Sequence, residues 1–389
     1  MGVARIRPAT ETSGDVPAGL EGVVVAETTI GDVRGQEGFF HYRQYSAVDL
    51  AEERSLEDVW HLLFRGELPD AVASAAFADE VRRRRVMPPG LATLLPALSR
   101  RGSPLDVLRT AVSVLGAELG WRPTHDIDAD ELYDQAVGLC AVVPTILAAA
   151  HRLRTGHEPV EPRGDLGFAA NYLFMLTGEE PSPLHARAIE QYMILTIDHG
   201  FNASTFTARV VTSTGADLGA AIVAAIGALS GPLHGGAPSR ALDMLDAIGT
   251  PERADAYIRA AVEGGERIMG FGHRVYKTDD PRSVLLRSVT ERLGGPLVEF
   301  SQSVERTTVD VLAELKPGRQ LYTNVEFYAG VVMHTCGIPR EMFTPTFAAG
   351  RTIGWSTHVM EQASHNRLIR PAARYAGPPP PQPVPPAGG

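Results

Sequence analysis

From about Ser46 onward, apolar residues recur at three- and four-residue intervals, the period of a helix that buries one face. Leu56, Val59, Leu62 and Leu63 follow a capping-box start at Ser55 and Asp58. Ser103-Pro104 and Ser182-Pro183 each place a cap residue and then proline at the first helical position. The same spacing predicts helices over about 129–153, 183–198, 217–229, 251–263, 283–293, 298–315 and 339–362. Two stretches, 136–150 and 218–229, are apolar all round and read as helices deep inside a large core; each run is shorter than a bilayer span. Between residues 23 and 45 the pattern shortens to alternating segments separated by Gly31, Gly35 and Gly38, which fits one or two small strands. Strands and helices do not alternate, so a doubly wound parallel sheet is unsupported, and no repeat of fixed period appears.

The ends depart from this pattern. Residues 1–18 mix Pro, Gly, Thr and charges and read as a loose arm. Residues 376–389 are nearly all Pro, Gly and Ala and read as a disordered, polyproline-like tail. With 44% apolar and 21% charged residues over 389 positions, the composition excludes a wholly disordered chain or a collagen. Lys and Arg total 36 against 46 Asp and Glu, a formal charge of −10, which argues against general nucleic-acid binding. Any anionic ligand must therefore be met by a few locally placed cations. Only Cys140 and Cys336 occur, without a CxxC pair, so neither a cysteine zinc site nor a disulfide framework is expected. The N-terminus lacks a basic stretch followed by an apolar core, and a cytoplasmic location is the expectation.

Candidate chemistry sits where the helical pattern breaks. Two histidines lie on glycine-flanked loops, Gly231-Pro232-Leu233-His234-Gly235-Gly236 and Gly270-Phe271-Gly272-His273-Arg274-Val275-Tyr276-Lys277. Glycines let a backbone approach a ligand closely, and a histidine there can donate or accept a proton near neutral pH. The Gly270-x-Gly272 pair is not a dinucleotide fingerprint, because no strand precedes it and Val275 stands where the third glycine belongs. Asn324-Val325-Glu326-Phe327-Tyr328 sets one carboxylate among apolar neighbours, where desolvation raises a carboxyl pKa. Arg282, after Asp280-Pro281, and Arg351, in Arg351-Thr352-Ile353-Gly354-Trp355, offer the planar fork suited to carboxylates, as does Arg370. Asp198-His199-Gly200 closes an apolar helix with a polar cluster. No HExxH or carboxylate–histidine ligand set is present, and metal dependence is not expected.

Taken together and in order, the loop 231–236, the segment 270–282, the segment 324–328 and Arg351-Thr352-x-Gly354-Trp355 resemble the citrate synthase family, including 2-methylcitrate synthase, over about residues 19–377. The resemblance implies a mainly α fold in which a large helical domain (19–233 and 329–375) and a small helical domain (234–328) enclose the active site. It implies a homodimer, oxaloacetate and acetyl-CoA as substrates, and no tightly bound cofactor, acetyl-CoA being a co-substrate. His234 is then expected to bond the thioester oxygen, Glu326 to abstract the methyl proton, and His273 to polarise the ketone and protonate the alkoxide. His199, Arg282 and Arg351 are expected to hold oxaloacetate carboxylates, with Arg370 supplied by the neighbouring subunit. Lys277 is expected at the CoA phosphates, with Lys316 or Arg319 as further candidates. One position departs: the family's general base is usually Asp, and here it is Glu326. Three readings stay open: a citrate synthase, a 2-methylcitrate synthase using propionyl-CoA, which shares all these motifs, or, because of Glu326, a low-activity structural or regulatory paralogue.

Overall fold

The computed structural model describes residues 16–232, 234–235, 237–273, 275–317 and 321–386. Among the described residues the chain forms sixteen α-helices and one small antiparallel sheet, so the fold is mainly α, as the periodicity predicts. The local signals act as expected. The hydroxyls of Ser55, Ser103 and Ser182 accept from the N–H three residues on, at the starts of helices Leu56–Arg65, Pro104–Glu118 and Pro183–Thr196. The segment between residues 23 and 45 yields three strands rather than two: β1 (Gly31–Arg34), β2 (Phe39–Tyr42) and β3 (Tyr45–Ser46), in the order β1-β2-β3.

Further helices lie where the periodicity is silent. Phe168–Thr177 is apolar on all sides, and Ala203–Ser213 is rich in Ser and Thr, with Ser204, Thr205, Thr212 and Ser213 buried. Val325–Thr335 is an apolar, partly β-branched run that reads locally as strand or helix. Packing decides all three. The apolar run 136–150 lies within the longer helix Ala129–Arg154, which continues through Pro144. As a whole that helix is long and apolar enough to cross a membrane, unlike the run alone, but 83% of its most apolar stretch is buried inside the fold. It is a core helix.

The last long helix, Phe343–Ser364, packs against Ala129–Arg154, Pro183–Thr196 and Ala203–Ser213, and its side chains are buried from Ala348 to Val359. Gly354 permits one of these crossings: a Cβ there would lie 2.1 Å from the Ile197 carbonyl oxygen. That close approach sets Arg351 and His358 of the same helix beside the end of Pro183–Thr196, where Asp198 and His199 emerge. The hairpin β1–β2 covers the opposite side. Phe40 and Tyr42 point inward from β2, and a Cβ on Gly35 would meet the Val275 carbonyl oxygen at 2.2 Å. Of the expected loose arm, residues 1–15 lie outside the described residues, and 16–18 are exposed. Residues 376–386 are exposed and outside any helix or strand, and 387–389 are not among those described.

Candidate active site

His199 follows the helix Pro183–Thr196 on a turn held from three directions. The Tyr42 hydroxyl bonds the carbonyls of Ile194 and Asp198 (2.8 and 3.2 Å), Asp198 Oδ2 accepts from Gly200 N–H (3.1 Å), and His199 Nε2 meets Tyr276 Oη (3.0 Å). Phe40 lies against the imidazole, 5.8 Å between ring centroids. The His273 ring stands 5.8 Å from His199 and 4.8 Å from Tyr276. Four rings from three distant parts of the chain thus form one wall.

The glycines around His273 do what the sequence suggested. Gly270 and Gly272 have φ of 82° and 80°, and Gly272 N–H donates to Tyr322 C=O while Asn324 N–H donates to Gly270 C=O. This short ladder ties the His273 loop to the start of Val325–Thr335. Asn324 caps that helix, its Oδ1 accepting from Glu326 N–H (3.1 Å) and its Nδ2 donating to Gly272 C=O (2.9 Å). Asp280 is the second tie. It is 1% exposed, and its carboxylate accepts from Arg282 N–H, Nε and Nη2 (3.0, 3.0 and 2.8 Å) and from Val325 N–H (3.1 Å). Asp280 therefore occupies the anion-favouring start of two helices at once, Pro281–Leu293 and Val325–Thr335. An anionic ligand is left to the outward-facing donors.

His273 Nδ1 accepts from the N–H groups of Val275 and Tyr276, both at 3.0 Å, so its ring proton sits on Nε2. Arg282 Nη2 lies 3.3 Å from that nitrogen. Two donors so placed cannot bond each other and can share an oxygen acceptor. Glu326, beside them, lies in the field of Arg282, and no hydrogen bond from a side chain to its carboxylate occurs among the described residues.

His234 sits one turn past the helix Leu218–Leu229, its N–H donating to Gly231 C=O (3.0 Å). Its Nε2 meets Ser204 Oγ at 2.8 Å. That oxygen also accepts from Trp355 Nε1 (3.2 Å) and lies 2.8 Å from Asn202 Oδ1. Ser204 thus has one proton to share between Asn202 and His234. Trp355 shares a helix with Arg351, which is 2% exposed and donates from Nε to Thr196 C=O (2.7 Å).

Burial and neighbouring guanidinium groups keep all three histidines neutral at pH 7. Burial lowers His234 to about 4, with Arg351 adding to the shift, and it lowers His273 to about 4, reinforced by Arg282. His199 is driven well below 6.5 by burial, then by Arg282, His273 and Arg351. Burial raises the Glu326 carboxyl above its ordinary value, with Arg282 opposing. Burial also lowers Arg351 to about 10, so it stays charged. The site is a set of neutral imidazole donors, two cations and one basic carboxylate.

Not every expected residue joins it. Lys277 is exposed, with its N–H donating to Gly35 C=O, and lies on the loop leading away from His273. Arg370 is exposed on the irregular segment after Phe343–Ser364; the neighbouring Ile369 N–H bonds Ser213 Oγ at the far end of the helix Ala203–Ser213. Within one chain Arg370 does not reach the cluster. Lys316 lies just past the helix Pro296–Leu315, and Arg319 is outside the described residues.

Residues 19–372 match the family described as citrate synthase, C-terminal domain. The chain belongs to the citrate synthase family. It is 42% identical to citrate synthase 2 of Bacillus subtilis, over 92% of this chain and 95% of that protein. It is 41% identical to the 2-methylcitrate synthase of Mycobacterium tuberculosis strain H37Rv, over 95% of this chain and 93% of that protein. Among solved structures it is similar to the citrate synthase of Thermotoga maritima, at 34% identity and a TM-score of 0.84, covering 95% and 98% of the two chains. It is also similar to a Thermoplasma acidophilum citrate synthase in a ternary complex with carboxymethyl coenzyme A and oxaloacetate, at 28% identity and a TM-score of 0.88, covering 95% and 98%. The fold is therefore the citrate synthase fold, and the chain is an acyltransferase of that family.

Within this candidate site, the sequence pattern picks out the groups with reactive or charged tips and passes over their supports. Tyr42, Ser204 and His358 had no pattern of their own, and Tyr276 stood in the His273 motif without a role. Asp198, Asp280 and Asn324 stood inside quoted motifs, and their Asx-type spacing to the next N–H but one was the available signal.

Proposed function

We propose that this protein condenses acetyl-CoA with oxaloacetate and hydrolyses the resulting citryl-CoA thioester to citrate and CoA. The observation that carries the reading is the convergence of His273 Nε2–H and the Arg282 guanidinium, 3.3 Å apart, beside a Glu326 carboxylate with no side-chain donor among the described residues. A thioester methyl is a weak carbon acid, so the base needs a donor at the carbonyl oxygen where charge develops. Glu326 takes the methyl proton while His234 donates to the thioester oxygen. For that donation from Nδ1, Nε2 must accept, and the Ser204 hydroxyl, 2.8 Å away, must turn its one proton from Asn202 Oδ1 to His234. The enol carbon then attacks the ketone carbon of oxaloacetate, and His273 Nε2–H gives its proton to the alkoxide. His199, Arg282 and Arg351 hold the carboxylates and so fix the ketone for attack. Water finally cleaves the thioester, releasing the CoA thiol.

In this reading residues 234–328 form the small domain, which closes on 19–233 and 329–375 to keep water from the enol. Arg370 completes the site from the neighbouring subunit of a homodimer, which accounts for its position far from the cluster in its own chain. Lys277 meets the CoA phosphates. No resident cofactor or metal takes part, and the protein works in the cytoplasm.

Propionyl-CoA, giving 2-methylcitrate, is the second reading, favoured by the 41% identity to a 2-methylcitrate synthase. Glu326 weighs toward acetyl-CoA: its extra methylene carries the carboxylate about 1–1.5 Å further, and one methylene of pocket space is worth roughly 1–3 kcal/mol in acyl choice. Thiol release with oxaloacetate and either acyl-CoA tests this. A kcat/KM at least about tenfold higher for acetyl-CoA is expected. A preference for propionyl-CoA reverses the assignment, and release with neither supports a low-activity paralogue.

A further inference from the structure

A buried chain of polar groups that the reaction does not use runs from the His199 turn to the N-terminal segment. Asp198 Oδ1 accepts from His358 Nε2 (3.0 Å), and His358 Nδ1 accepts from Arg209 Nη1 (3.0 Å). Arg209 Nη1 also donates to Glu361 Oε2 (2.7 Å), and Glu361 Oε1 accepts from Thr29 N–H (2.7 Å). Asp198, Arg209 and His358 are 2%, 4% and 1% exposed. The geometry also fixes the tautomer of His358. Arg209 can only donate, so His358 Nδ1 is an acceptor and the ring proton sits on Nε2, directed at Asp198. The other Asp198 oxygen holds Gly200 N–H, so the carboxylate spans His199, the residue between. Phe201, on the same turn, is gripped as well: the His358 ring meets it edge-on at 5.5 Å, and the Arg209 guanidinium lies 4.9 Å above it.

A surface loop would not need an ionised carboxylate, an imidazole and a guanidinium, all desolvated, to hold it. Burying such groups is costly unless they are paired, and here Asp198, Arg209 and His358 are brought together from a turn and two helices. What the arrangement achieves is one fixed geometry for the turn between Asp198 and Asn202. We propose that His358 is a positioning residue: through Asp198 it fixes the backbone that aims His199 at the dicarboxylate substrate. This rests on the reading of His199 as an oxaloacetate ligand. A glutamine reaches about as far as Nε2 and can replace the donor to Asp198. An asparagine retains an acceptor near Nδ1 but stops short of Asp198.

The experiment compares His358→Gln and His358→Asn with the wild-type protein. The readouts are initial rates of thiol release and hydrogen exchange of the backbone amides at 199–202. In His358→Asn the KM for oxaloacetate is expected to rise about tenfold, while the KM for acyl-CoA stays within about twofold and the Gly200 amide exchanges faster. His358→Gln is expected to restore most of both. Equal impairment of the two variants would show that His358 only fills space, and an unchanged oxaloacetate KM in His358→Asn would likewise overturn the proposal. Glu361→Gln, at the more accessible outer end, is expected to give a smaller shift in the same direction; if neither histidine variant folds, its absence there decides against the proposal. Failure of the wild-type protein to release thiol would overturn the functional reading instead, and the exchange of residues 199–202 would then decide this proposal alone.

Discussion

Arg282 Nη2 stands 3.3 Å from His273 Nε2, and neither nitrogen can accept from the other. Both are held there by bonds on their far sides: the arginine by Asp280, the imidazole by the N–H groups of Val275 and Tyr276. The site is built before substrate arrives, and the donors face the position of a shared oxygen.

Arg282→Lys keeps the charge but loses the fork. One ammonium cannot serve both Asp280 oxygens and also face the cleft. The KM for oxaloacetate is expected to rise by roughly 10²-fold, as when one partner of a buried charged pair is removed. Isothermal titration with oxaloacetate alone checks it; unchanged affinity would take Arg282 out of substrate binding.

Glu326→Gln preserves shape and removes the base. Thiol release is expected to fall by at least about 10²-fold, the usual contribution of a positioned general base, with oxaloacetate binding intact. Normal turnover in this variant would exclude Glu326 from proton abstraction.

The histidines give stability a defined pH dependence. His234 and His273 titrate near 4 when folded, against about 6.5 in an unfolded chain. Between those values the unfolded chain binds more protons, so the stability they contribute is complete above about pH 6.5 and is lost as pH falls towards 4. Glu326, raised by burial, works in the opposite sense, losing stability as it ionises above its ordinary value. Urea unfolding from pH 4 to 7 is expected to show a shallower dependence in His273→Gln than in the wild-type protein. An identical slope would mean that His273 is not depressed.

Gly35→Ala puts a Cβ 2.2 Å from the Val275 carbonyl oxygen, and neither backbone can yield without moving the hairpin from the His273 loop. A loss of about 1–3 kcal/mol, typical of overpacking, is expected together with a higher oxaloacetate KM. Gly138→Ala, in a helix with open space around the new Cβ, is the control and should be neutral or stabilising. Equal stability of the two variants would show that the hairpin does not brace the loop.

Charge followed the same division between tip and support. A chain of net charge −10 must gather cations locally to hold a dicarboxylate, and Arg282 and Arg351 are gathered, both nearly fully buried. The start of Pro281–Leu293, an anion site by its dipole, is taken by Asp280 of the chain itself. The spacing Asp280-Pro281-Arg282 signals only this local cap; the second contact, Val325 N–H, lies 45 residues away and is set by the fold.

By itself the sequence determined the helical class and the caps of individual helices, and it singled out His199, His234, His273, Arg282, Glu326 and Arg351 as candidate site residues. Periodicity, capping and glycine-flanked loops are local, and local order is what a sequence displays directly. Only the tertiary structure decided what holds those residues still: Tyr42 reaches Asp198 across 156 positions, His358 reaches it across 160, and Tyr276 reaches His199 across 77. Those partners are buried polar groups whose own elements carry no signal of the far end. Burial makes an unpaired polar group costly, so the fold must bring each one a partner, and only the packed chain shows which.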